Sequence, residues 1–63
     1  MEKKKLEYNK EAWTNKGITL AKQGNWEEAI KCFDKALEFD PTYKEAWNNK
    51  GVALFNQGKL ENA

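Results

Sequence analysis

Residues Ala12 to Gly24 read AWTNKGITLAKQG, and residues Ala46 to Gly58 read AWNNKGVALFNQG. The two stretches lie 34 residues apart and agree at eight of thirteen positions; Lys10-Glu11 and Lys44-Glu45 in front of them raise the agreement to ten of fifteen. Self-similarity at such a period marks one supersecondary unit used twice. Each copy spaces its apolar and small residues for one helical face: Ala12, Trp13, Gly17, Leu20 and Ala21 in the first, and Ala46, Trp47, Gly51, Leu54 and Phe55 in the second. Gln23-Gly24-Asn25 is expected to close the first of these helices, with Gly24 in the left-handed conformation, and Gly58 the other.

Between the copies, Trp26, Ala29, Ile30, Phe33, Ala36 and Leu37 recur at intervals of three and four, with Lys31, Asp34, Lys35 and Glu38 opposite, which predicts an amphipathic helix from about Trp26 to Phe39. Asp40-Pro41 ends it, because proline disfavours helical geometry in the residue before it and has no N–H to donate. Nothing alternates with period two, so no strand is expected. Short loops make consecutive helices antiparallel neighbours, and the fold class is all-α. A glycine inside a helix costs roughly 0.5–1 kcal/mol relative to alanine, so its presence at Gly17 and Gly51 suggests a close helix approach, with Ala29 as the expected partner of Gly17 and Ala63 of Gly51.

A 34-residue period carrying Trp13, Gly17, Leu20, Ala29, Phe33, Ala36 and Pro41 resembles the tetratricopeptide repeat, a helix-turn-helix unit stacked into a right-handed solenoid. Lys16 and Lys50 stand where leucine is usual, and Leu20 and Leu54 where tyrosine is usual; both copies depart alike. The resemblance divides the chain into a leader at 1–9, a complete repeat at 10–43, and the first half of a second repeat at 44–63. Lys59-Leu60-Glu61-Asn62-Ala63 matches Asn25-Trp26-Glu27-Glu28-Ala29, so a truncated fourth helix is expected to open there. The leader is expected to extend the first helix rather than cap it. Trp47, Gly51 and Leu54 would then lack their usual cover. The expectation is either a fragment of a longer array or a homo-oligomer that buries this face.

Composition narrows the function. With 63 residues, one small domain is the limit, and such a chain buries only about 60% of its unfolded surface. Eleven lysines, no arginine and ten acidic residues give a net charge of +1, with no single-sign field to grip nucleic acid. Lys3-Lys4-Lys5 reads as a solvated terminus. Histidine is absent, which removes the commonest general base and metal ligand. Cys32, the sole cysteine, has nothing to activate it and reads as a flank residue. Glu27 and Glu28 point about 100° apart and suit the first turn of a helix better than catalysis. Trp13, Trp26 and Trp47 read as core rather than as base-stacking platforms. No run is long and apolar enough for a membrane span. The expectation is a cytoplasmic, non-enzymatic protein with no cofactor and no metal.

In tetratricopeptide repeats the first helices line a concave groove for a peptide or a partner helix. The positions carried over by register are Glu11, Thr14, Asn15, Ile18 and Lys22, then Glu45, Asn48, Asn49, Val52, Phe55 and Asn56. Asn15 and Asn49 could grip a peptide backbone, since an amide both donates and accepts, or could bond neighbouring helices and fix their stacking. Thr14 and Ile18 stand where a carboxylate clamp needs lysine and asparagine, which argues against that activity. Ile18, Val52 and Phe55 would suit an apolar anchor, or Phe55 packs under a neighbouring helix.

Overall fold

The computed structural model describes the backbone of residues 2–62 and the side chains of residues 9–58. Three helices follow one another: α1 (Glu2–Lys22), α2 (Trp26–Phe39) and α3 (Lys44–Asn62). All regular structure among the described residues is helical. The leader continues α1 without a break, as expected; its side chains through Tyr8 lie outside the described residues.

The turn after α1 is chemically explicit. Gly24 takes φ +83°, its N–H donates to Ala21 O at 3.0 Å, and Asn25 N–H donates to Leu20 O at 2.9 Å. That pair of bonds is a Schellman cap, which uses up two carbonyls the helix end would otherwise leave unpaired. Glu27 and Glu28 then sit in the first turn of α2, where the helix dipole favours negative charge. At the other end Asp40 is extended (φ −149°, ψ 94°), and its Oδ1 accepts from Thr42 N–H at 3.1 Å and from the Thr42 hydroxyl at 2.8 Å. This local competition for backbone partners ends α2 and turns the chain into α3.

The core is organised by α2, which packs against both other helices. Ala29, Phe33 and Ala53 are fully buried, with Ile18, Leu20, Ala21, Trp26 and Ile30 against them. A second cluster joins Ala36, Leu37 and Ala46, flanked by Trp13 and Tyr43. Lys10 Nζ bonds Asp40 Oδ2 at 2.8 Å and lies 4.8 Å from the Tyr43 ring centre, tying α1 to the α2–α3 turn. Lys50 Nζ reaches Asp34 Oδ1 at 2.7 Å and ties α3 to α2.

Four expectations need correction. The residue that crowds Gly17 is Phe33, not Ala29: a Cβ built on Gly17 would lie 2.5 Å from Phe33 Cε1, because the ring fills the gap between α1 and α2. The expected pairing of Gly51 with Ala63 is not among these, since Ala63 lies outside the described residues; among those described, nothing lies within 4 Å of a Cβ on Gly51. Gly58 does not close α3, which runs on through Asn62 with no positive φ there. Gly24 could leave the helical path because α2 docks its apolar face after the turn; beyond Gly58 no described helix docks, so continued right-handed helix keeps its backbone bonds and no separate fourth helix opens among the described residues. Cys32 is buried rather than flanking, since it shares the α2 face of Ala29, Phe33 and Ala36.

Candidate interaction surfaces

Both α1 and α3 lie on α2 and also touch each other. Of the residues expected to line a groove along them, Glu11, Asn15, Lys22, Glu45 and Asn48 are exposed, and Ile18, Asn49 and Asn56 are half-buried. Val52 is 56% and Phe55 66% exposed. Thr14 departs from expectation: it is buried, and its hydroxyl donates to Lys10 O at 2.8 Å. A threonine satisfied by the carbonyl one turn back can sit against the core, which takes it out of reach of a partner.

The asparagines also settle locally. Asn49 Nδ2 donates to Glu45 O at 2.8 Å and Asn56 Nδ2 to Val52 O at 2.9 Å, each within α3. That bond braces Asn49 against its own helix. Glu45 Oε1 accepts from the Tyr43 hydroxyl at 3.1 Å. Burial, then the Glu45 carboxylate, push the Tyr43 pKa up, so the phenol stays a donor at neutral pH.

A second surface lies at the outer side of α3. Trp47 is 51% and Leu54 49% exposed, and among the described residues nothing lies within 4 Å of a Cβ built on Gly51 or Gly58. Trp47 was expected in the core. Its counterpart Trp13 is half-buried because α2 lies over α1, whereas nothing among the described residues lies over this side of α3. Trp47 is still held: its indole N–H donates to Pro41 O at 2.7 Å, and Lys50 sits 5.4 Å from the ring centre. Lys16 sits 5.3 Å from the Trp13 ring, so the lysines that replace leucine in both copies do the same thing, covering a tryptophan face with a cation.

A depression of about 440 Å³ lies between α1 and α2, lined by Trp13, Leu20 and Cys32 with Lys16, Lys31 and Glu38 among its charged neighbours. Burial pushes the Cys32 thiol up, outweighing the lowering effect of Lys16, so the sulfur stays protonated at neutral pH and is a poor nucleophile. Among the described residues no three His, Cys, Asp or Glu gather into a metal site, and no helix is long and apolar enough to cross a membrane. Reading the sequence by copies missed one member of the outer face, Gly58. The signal was present in the 4-3-4 spacing of positions 47, 51, 54 and 58.

In comparisons with known proteins, two family models, both described as tetratricopeptide repeat, match residues 11–43 and 32–63. No curated protein and no solved structure matched the chain. With helical hairpins in a 34-residue echo and a family match across each half, the chain belongs to the tetratricopeptide repeat family, whose repeats mediate protein–protein interaction.

Proposed function

We propose that this protein is a non-catalytic interaction module that takes a partner peptide or helix along the surface shared by α1 and α3. The observation that carries this reading is the exposure of Val52 and Phe55 on a helix beside the half-buried Ile18. Solvated apolar side chains next to polar Glu11, Asn15, Lys22, Glu45, Asn48 and Asn56 suit an amphipathic ligand with one apolar anchor. α1 (Glu2–Lys22) and α3 (Lys44–Asn62) each supply one wall. The balanced charge favours protein over nucleic acid or membrane, and the lone buried cysteine suits the cytosol.

The test is selection of a displayed peptide library on the chain, followed by titration of the winners. Phe55→Ala and Val52→Glu should each weaken the selected peptides by about tenfold or more, while Lys31→Glu on the far side of α2 leaves them unchanged. Peptides that bind all three variants as well as the original chain would sink the groove reading.

A second reading, self-association through the outer side of α3, is supported by the exposure of Trp47 and Leu54 over two open glycines. Such a face seldom stays in water without a partner.

A further inference from the structure

Trp47, Gly51, Leu54 and Gly58 follow one another at spacings of four, three and four. At about 100° per residue they fall within an arc of about 60°, a single narrow stripe of the kind that seams two helices together. The stripe alternates bulk and absence of bulk: an indole, a hydrogen, an isobutyl group, a hydrogen. A Cβ built on the exposed Gly51 or the half-buried Gly58 meets nothing within 4 Å among the described residues, so each glycine leaves a gap that a visiting side chain can enter.

The same residue set is already a docking face elsewhere in the chain. Trp13, Gly17 and Leu20 on α1 are the echo of Trp47, Gly51 and Leu54, and there α2 seats Phe33 against the glycine. Each copy of the chain offers two such faces, on α1 and α3, but only one helix of the α2 type among its described helices. Exchange of α2 between copies would therefore cover one face by baring another. What a second copy can bring to the stripe without uncovering anything is its own α3.

Resting on the second reading above, we propose that two copies pair through α3 in antiparallel, two-fold symmetric fashion, with Trp47 opposite Gly58 of the second copy and Gly51 opposite Leu54. One register achieves both, and the two-fold axis repeats each match in reverse. A parallel pair would set Trp47 on Trp47 and Gly51 on Gly51, bulk against bulk and gap against gap. The antiparallel register fills each glycine gap with a side chain from across the seam, and this interleaving is what allows two helices to approach closely.

The size of the face sets the strength. Trp47 and Leu54 leave on the order of 200–250 Å² of side chain per copy to be buried. The pair then falls below the ~1,200 Å² at the low end of stable interfaces, so association is weak and concentration-dependent, between micromolar and millimolar.

Sedimentation equilibrium from about 10 μM to 1 mM, with helicity followed by circular dichroism, tests this. The chain should move toward twice its monomer mass as concentration rises. Gly58→Trp should weaken association about tenfold or more, because two indoles then meet, while the open space around Gly58 leaves the monomer helical. Trp47→Gly combined with Gly58→Trp exchanges the members of one matched pair and should restore the dissociation constant to within about threefold. Gly51→Leu alone and combined with Leu54→Gly repeats the test at the second pair, and decides the matter if removal of Trp47 costs the fold. A chain that stays monomeric throughout the series overturns self-association and the pairing with it. A chain that dimerises while Gly58→Trp and Gly51→Leu associate as tightly as the original, or while neither exchange restores it, keeps self-association and overturns this register.

Discussion

Substitution of alanine for Gly17 and for Gly51 makes the same chemical change at two positions of one repeat, and the structure gives opposite signs. In a helix interior, alanine is better than glycine by roughly 0.5–1 kcal/mol, and this gain applies to both sites. At Gly51 nothing lies within 4 Å of the added methyl, so the gain stands alone. At Gly17 the methyl would meet Phe33 Cε1, Cδ1 and Cζ at 2.5, 2.8 and 2.9 Å. Carbon atoms pack best at about 3.5–4.0 Å, so the ring must retreat by about 1 Å. Phe33 is fully buried between Ala29 and Ala53 and cannot swing into solvent. Overpacking of this kind costs about 1–3 kcal/mol, which exceeds the propensity gain over most of its range. The expectation is that G17A lowers stability by about 0.5–2 kcal/mol and G51A raises it by about 0.5–1 kcal/mol. In a chain this small, 1 kcal/mol is worth about 4–8 °C in Tm. Thermal and urea denaturation followed at 222 nm, at concentrations low enough for a monomer, measures both. The double variant Gly17→Ala with Phe33→Leu should lose less than the two single losses added together, since the smaller side chain relieves the contact. Equal stabilisation by both alanines would refute the close approach of Phe33 to α1.

Two electrostatic ties give further expectations. The Lys10 ammonium hydrogen bond, then the Thr42 hydroxyl and N–H, hold the Asp40 carboxyl at a pKa of about 2. Because that lies below the unfolded value of about 3.9, its contribution is complete above about pH 4 and is lost as pH falls toward 2; Asp40→Asn should flatten the urea midpoint against pH in that window, and an unchanged slope would exclude the tie. Asp34→Asn, which breaks the 2.7 Å contact with Lys50, should cost about 0.3–1 kcal/mol in urea denaturation, shrinking in high salt because Asp34 is half exposed; a loss that does not respond to salt would point to packing instead.

Much of this was legible in the residues. The echo announced α1 and α3, the period of three and four announced α2, and Gly24 and Asp40-Pro41 announced the turns, because each of these signals acts within a few residues of itself. What could not be read was what each side chain would find across the gap. Gly17 declared a close approach, but not that the approaching group would be the Phe33 ring. Thr14 looked like a groove residue by register and is buried because its hydroxyl can be satisfied within its own helix. Cys32 looked like a flank and is buried because α2 needs a broad face to meet a helix on either side. Gly58 carried the same local signal as Gly24, yet α3 runs through it. A glycine permits a turn; a docking partner beyond it makes the turn worth forming.

The pair Trp13 and Trp47 carries that point to function. Both sit in the same local sequence, both lie under a lysine three residues on, and at 5.3 and 5.4 Å the two cations hold the same place over their rings. One indole is half-buried and the other half-exposed, so the difference cannot come from local sequence and must come from the presence of α2 over one helix face and not the other. Under the pairing proposed above, a residue that packs the core of one repeat becomes a binding residue in the next, with no change of type. The apolar stripe of α3 is thus a core surface that the described chain leaves uncovered. On the proposed pairing, its affinity for a second copy would follow the rules of core packing, in which an alternation of glycine and bulk selects a partner by shape rather than by charge.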